Sequence, residues 1–136
     1  MRILSEALAS QEWGRFGEVF HPDAMMEYPQ SRELFRGVAN IRAQFENYPD
    51  LEPGTSELAE VIGGTTYAMT PSYTVIAVKG SGDHASAIVR VRYPDGSWWW
   101  VVNLYELHDE RISRMRVYFA PDFEAPDWRA PYREAP

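Results

Sequence analysis

The stretch that decides the fold is Tyr93-Pro-Asp-Gly-Ser-Trp-Trp-Trp-Val-Val-Asn-Leu-Tyr-Glu-Leu107, then His108-Asp-Glu-Arg111, then Ile112-Ser-Arg-Met-Arg-Val-Tyr-Phe119. Two runs rich in aromatic and β-branched residues flank a short polar turn, which predicts a long antiparallel hairpin. Neither run alternates cleanly between apolar and polar, so both faces of the sheet are expected to be covered. Strand parity sorts the side chains. Trp99, Val101, Asn103, Tyr105 and Leu107 share one face; Trp98, Trp100, Val102, Leu104 and Glu106 share the other. In the second run Met115, Val117 and Phe119 oppose Arg114, Arg116 and Tyr118. The face that mixes Trp with Arg90, Arg92, Arg114, Arg116 and Glu106 has the composition of a subunit contact. The face holding Asn103 among apolar neighbours suits a small-molecule pocket, because a buried amide needs a partner or a ligand.

Outward from this hairpin, strands are predicted at 56–62, 66–69, 73–79 and 84–93. Turns at Gly63-Gly64, Ser81-Gly-Asp83, Pro94-Asp-Gly96 and His108-Asp-Glu110 punctuate them. The N-terminal part is helical. Ile3, Leu4, Ala7 and Leu8 have helical spacing, and Ser10 is placed to cap a second short helix carrying Trp13, Phe16, Val19 and Phe20. His21-Pro-Asp23 is expected to end that helix, before a short strand Ala24–Tyr28 closed by Pro29. Val38, Ile41, Phe45 and Tyr48 lie on one face of a helix beginning after Gly37 and stopped by Pro49. Helices first and a meander afterwards specify an α+β fold, with the helices packed on one face of a bent sheet.

The chain is 136 residues long, which predicts a single domain over 1–121. The segment 122–136 contains Pro126, Pro131 and Pro136, so neither helix nor strand is expected there. It also carries Phe123, Trp128 and Tyr132, which points to docking on the body or on a partner subunit rather than free disorder.

The formal charge of −7 argues against nucleic-acid and anionic membrane partners. With no cysteine, disulfides and thiolate-bound metal are excluded, and a cytoplasmic location is expected. No apolar window approaches the ~18 residues needed for a membrane span. The three histidines, His21, His84 and His108, sit at a helix end or in turns without ligand spacing, so neither metal nor cofactor is expected. Glycine-rich phosphate loops and a nucleophile elbow are absent. The remaining candidates are Glu27 and Tyr28. As strand neighbours they point to opposite faces, so one of them looks into the interior.

Several segments resemble the SnoaL-like branch of the NTF2-like superfamily. They are Phe20-His-Pro-Asp-Ala24, Glu27-Tyr-Pro-Gln30, Phe35-Arg-Gly37 with Ile41-Arg42, Tyr105-Glu-Leu107, and Tyr118-Phe-Ala-Pro121 running into Phe123-Glu-Ala-Pro-Asp-Trp-Arg129. The resemblance covers nearly the whole chain, and the closing run is its most specific part, typical of a bacterial subgroup. It implies an NTF2-like cone, with N-terminal helices on the concave face of a strongly bent, mostly antiparallel sheet. It also implies a pocket inside the cone and a homodimer through the convex face.

The fold hosts isomerases, cyclases, hydrolases, dehydratases and plain binders, so it does not fix a reaction. The positions that carry chemistry in ketosteroid isomerases fall on Tyr28, Asn103 and Leu4; the catalytic aspartate of the polyketide cyclases falls on Val117. The expected site is therefore an apolar pocket lined by Tyr28, Trp99, Asn103, Tyr105, Met115, Val117 and Phe119 for a small, polyketide- or steroid-like molecule. Tyr28, Asn103 and Glu27 are the candidates for chemistry, with Glu27 available only if a bulge turns it inward. The alternative is a structural or protein-interaction module whose aromatic side chains fill the cone.

Overall fold

The structure, a computed structural model, describes residues 2–48, 57–60, 66–69, 73–92 and 95–134. Helix α1 (Arg2–Ser10), a 3₁₀ turn (Trp13–Arg15) and helix α2 (Phe16–Val19) lead into strand β1 (Phe20–Tyr28), β2 (Glu33–Arg36) and helix α3 (Val38–Glu46). Then follow β3 (Glu57–Glu60), β4 (Thr66–Met69), β5 (Tyr73–Ser81), β6 (His84–Arg92), β7 (Trp98–His108) and β8 (Arg111–Pro121). Six strands form one sheet in the order β2-β1-β8-β7-β6-β5, while β3 and β4 pair separately. Every pairing is antiparallel except β1 with β8. The α+β fold with helices over one sheet face is as the hairpin and the helical spacing require. No described helix is long and apolar enough to cross a membrane.

Register shifts lie between Val75 and Ala77, between Glu106 and Leu107, and along β1. Such irregularities bend strands and increase their twist, and here they accompany the curvature of the sheet. The largest is in β1. Phe20 sits beside Ile112 and Met25 beside Arg114, so β1 advances five positions while β8 advances two. Pro22, which has no amide proton to give a neighbour, lies in the bulge. The expectation that His21-Pro-Asp23 separates a helix from a strand is therefore corrected: β1 runs continuously from Phe20. Ser10 ends α1, and Glu12 takes the cap position of the next turn without a side-chain bond. Strand β2 was not anticipated, because four residues after a turn carry almost no periodicity. The Gly63-Gly64 turn and Pro49 lie outside the described residues.

The core joins α1 (Leu4, Ala7), α2 (Phe16, Val19) and α3 (Ile41) to the concave sheet face through Ala24, Met26, Val89, Val101, Met115 and Val117. At the end of the sheet beside Ile112, an aromatic cluster closes the space between sheet and helices. Phe16 lies 5.8 Å from Trp13, 5.5 Å from Phe20 and 5.5 Å from Phe45, ring centre to ring centre. Gly37 opens α3 at φ 79°, a left-handed value that a β-carbon makes costly, and its amide donates to the Ala24 carbonyl at 2.8 Å.

Candidate functional site

The parity expected of β7 is the parity observed. Val101, Asn103 and Tyr105 are buried, whereas Trp98, Trp100, Val102 and Leu104 are exposed on the convex side. Asn103 is the one buried polar residue of the described core, at 4% exposure. It lies between Ala87 and Val117 on its flanking strands, so only apolar side chains stand beside it across the sheet. No described residue hydrogen-bonds its amide, yet the fully buried side-chain polar atoms without a partner among the described residues are Gln44 Nε2 and Arg114 Nε, not those of Asn103.

Two strands away is Tyr28. Met26 pairs with Met115 and Glu27 with Arg116, and one further step puts Tyr28 beside Val117 in the row that contains Asn103. At a strand spacing of about 4.8 Å the two backbones are roughly 10 Å apart. The Tyr28 ring packs edge-on against Phe35 and Phe119, at 5.2 and 5.1 Å. Its hydroxyl donates to Gln44 Oε1 on α3 at 2.9 Å. The Gln44 amide nitrogen is buried without a partner among the described residues. Gln44 was missed by sequence reasoning, yet a signal existed: it stands three residues after Ile41 and so shares the buried face of α3.

Trp99 and Phe119 sit toward the opposite end from the aromatic cluster. A polar relay holds Trp99: its indole donates to Ser97 Oγ at 2.9 Å, and Ser97 donates to Asp95 from both backbone and hydroxyl, at 2.8 and 2.6 Å. Those bonds hold the Asp95 carboxyl below its ordinary pKa. Burial, reinforced by the Asp95 charge, raises the pKa of the Tyr48 phenol after α3. Phe119 is fixed by Gln30, whose side-chain amide both donates to the Phe119 carbonyl and accepts its N–H, each at 2.6 Å. The carboxamide thus continues the β1–β8 ladder where Pro29 interrupts the backbone. Of the expected pocket residues, Tyr105, Met115 and Val117 are buried in the concave layer and Tyr28, Trp99 and Phe119 half-buried. Leu4 and Val117 are apolar core residues.

Glu27 faces the other way. One carboxylate oxygen accepts from Arg114 Nη2, the other from Arg116 Nε at 2.8 Å, and Arg116 also reaches Glu106 at 3.4 Å. No bulge turns Glu27 inward, so it cannot act as a base inside the cone. The Arg114 hydrogen bond, first among several causes, lowers the Glu27 pKa. A depressed carboxylate contributes stability that is complete above the ordinary value near 4.5 and is lost as pH falls through the folded value. Glu27→Gln is therefore expected to cost on the order of 1 kcal/mol at neutral pH, since the network is partly exposed. The difference from wild type should shrink in urea melts as pH is lowered below about 4.5; a penalty that does not fall with pH would refute the assignment.

The three histidines, expected at a helix end and in turns without ligand spacing, meet around one depression of ≈ 470 Å³ also lined by Asp23, Asp83 and Glu106. His21 and His108 stand 5.7 Å apart. No three His, Cys, Asp or Glu among the described residues are arranged to hold a metal. A second depression, of ≈ 640 Å³, lies on the convex side along Lys79, Ser86, Leu104, Glu106, Arg114 and Arg116.

The sequence profile of the SnoaL-like domain family matches residues 2–115. Among similar solved structures is an NTF2-like protein of unknown function from Burkholderia xenovorans, at 21% identity and TM-score 0.76, covering 98% of this chain and 89% of that one. Another, from Kribbella flavida and provisionally described as a ketosteroid isomerase, is 22% identical with TM-score 0.75, covering 98% and 84%. An epoxide hydrolase of the LEH-like type from Mycobacterium tuberculosis is similar at 14% identity and TM-score 0.60, over 87% of this chain and 77% of that one. No protein of curated function matches. At these identities the neighbours establish the fold alone; the profile match, over most of the chain, shows that this protein belongs to the SnoaL-like domain family, within the NTF2-like fold.

Proposed function

We propose that the protein binds a small, neutral, mostly apolar molecule between the helices and the concave sheet face, with Asn103 as the polar group that fixes a carbonyl or hydroxyl. One observation carries this reading: a buried amide with no hydrogen bond from any described residue. A ligand that pairs with it gains a hydrogen bond in a setting largely screened from bulk water. Among the described residues the inner face holds amides, phenols and an indole, but no carboxylate, imidazole or amine. Proton abstraction there falls to a phenol, a weak base with an ordinary pKa near 10. Recognition of a neutral molecule is thus better supported than turnover of the isomerase or cyclase kind. The aromatic lining suits a ring-bearing ligand of polyketide- or steroid-like size. The exposed convex face, with its Trp and Arg side chains, supports a homodimer through that surface.

The alternative is a non-catalytic module with a filled cone. It is favoured by the Phe16 cluster, whose rings fill the space between sheet and helices at one end. One thermal-shift screen of neutral carbonyl and hydroxyl compounds separates the two. A binder present at a hundred times its Kd should add about 2.7 kcal/mol to wild type and little to Asn103→Leu. A hit that stabilises both proteins equally removes Asn103 from the site, and a screen without hits supports the filled module.

A further inference from the structure

The chain leaves β8 anchored to the convex face. The Asp122 carboxylate takes both terminal nitrogens of Arg90, at 2.7 Å on Nη1, and its amide donates to the Trp98 carbonyl at 3.2 Å. Arg90 itself lies over the Trp98 and Trp100 rings, 5.2 and 4.7 Å from their centres. Beyond this anchor the segment has a defined backbone, but its large side chains stay exposed. Residues Asp127–Tyr132 form a 3₁₀ helix, correcting the expectation of no helix there. The Arg129 amide donates to the Pro126 carbonyl at 3.1 Å, and the Arg129 guanidinium lies 5.6 Å from the Trp128 ring centre. Yet Phe123, Trp128 and Tyr132 are 78%, 72% and 86% exposed. The prolines at 121, 126 and 131 stiffen the segment and lower the entropy lost when it is immobilised.

We propose that residues 122–134 are an arm that packs on the convex sheet face of a second copy of this chain. The proposal extends the dimer suggested above and supplies the part of the interface that the sheet face alone lacks.

Three observations select a second copy as the occupant. The first is the face itself. Ile88, Trp98, Trp100, Val102, Leu104 and Tyr118 are each between 36% and 41% exposed. Ile88 pairs with Val102 and Val102 with Tyr118, so they form one continuous surface. Soluble monomers seldom leave a large apolar patch uncovered. The second is area. At about 200 Å² for each large side chain, the three arm rings offer roughly 500 Å² and the face about as much again. That gives about 2,000 Å² across a two-fold dimer, within the range of stable interfaces; the face without the arm offers about half and falls below it. The third is reach. Residues 123–126 extend over roughly 13 Å, enough to cross the ~10 Å between stacked sheets. Because each chain carries both arm and face, a two-fold axis satisfies both copies at once.

The test compares full-length proteins by sedimentation at micromolar concentration: wild type, the triple variant Phe123→Ser/Trp128→Ser/Tyr132→Ser, and Trp100→Arg on the face. Wild type should be dimeric, and the triple variant should dissociate with a Kd raised at least ~100-fold, as expected when several aromatic anchors are lost together. Trp100→Arg should dissociate as well, and circular dichroism should show both variants folded. A photo-crosslinking residue at position 128, in a mixture of light and heavy isotope-labelled chains, should join β6, β7 or β8 of the opposite copy. If Trp100→Arg is monomeric while the triple variant dimerises like wild type, the arm is refuted and the face dimer stands. If wild type is monomeric, both are refuted. Crosslinks confined to a single copy overturn the arm in favour of docking on its own body.

Discussion

Phe16→Ala is expected to lower the free energy of unfolding by about 3–5 kcal/mol, the upper range for truncating a buried aromatic. Phe16 is fully enclosed, and its ring is the hub of the cluster formed with Trp13, Phe20 and Phe45. Those partners come from the 3₁₀ turn, β1 and α3, so the void cannot be closed by moving one element. The cost therefore includes the lost transfer energy of the ring and the cavity that stays behind. Domains of this size carry only about 5–15 kcal/mol in all. Urea unfolding monitored by tryptophan fluorescence measures the effect. An exposed control, Tyr132→Ala, should change the monomer's stability by less than about 0.5 kcal/mol. A loss below about 1.5 kcal/mol for Phe16→Ala would mean that the helical layer is not packed on the sheet as described.

Asn103→Leu should carry no such penalty. Asn103 is 4% exposed, and its amide atoms are not among the fully enclosed polar atoms that lack a partner, so the fold makes little use of the amide and is not strained by it. Leucine has similar volume and no polar group, so the ligand-free variant should be at least as stable as wild type. The same change should abolish stabilisation by a bound compound, an exchange of stability for function often met at binding sites. A structural amide, bonded to its surroundings, predicts instead a loss of about 1–3 kcal/mol. Thermal unfolding of the ligand-free proteins thus reports on the role of Asn103 before any ligand is identified.

Much of the hairpin was legible because its information is local. Alternate residues of a strand point to opposite faces whatever they pack against. For that reason 97–107 could be divided into an inner set with Asn103 and an outer set with Trp98 and Trp100. The amphipathic spacing of Val38, Ile41 and Phe45 located α3 for a similar reason. Legibility failed where one residue hid a local signal. Pro22 masked the continuity of β1, and the four residues Glu33–Arg36 were too few to show a period. The prolines after Pro121 concealed the 3₁₀ helix, which tolerates Pro131 within it.

The site depended on pairings that no local pattern announces. Glu27 and Arg114 are 87 residues apart, and the parallel pairing of β1 with β8 brings them together. That register turned the question of whether Glu27 or Tyr28 faces inward into an answer: Glu27 joined the cations of the convex side, and Tyr28 turned toward Gln44 and Phe119. It also drew His21, His84 and His108, which the sequence separates widely, around one depression. The sequence by itself determined which side chains of each element share a face, since backbone geometry repeats every two or every 3.6 residues and needs no partner. Only the tertiary structure decided which faces meet, because the pairing of distant strands is set by the packing of the whole core.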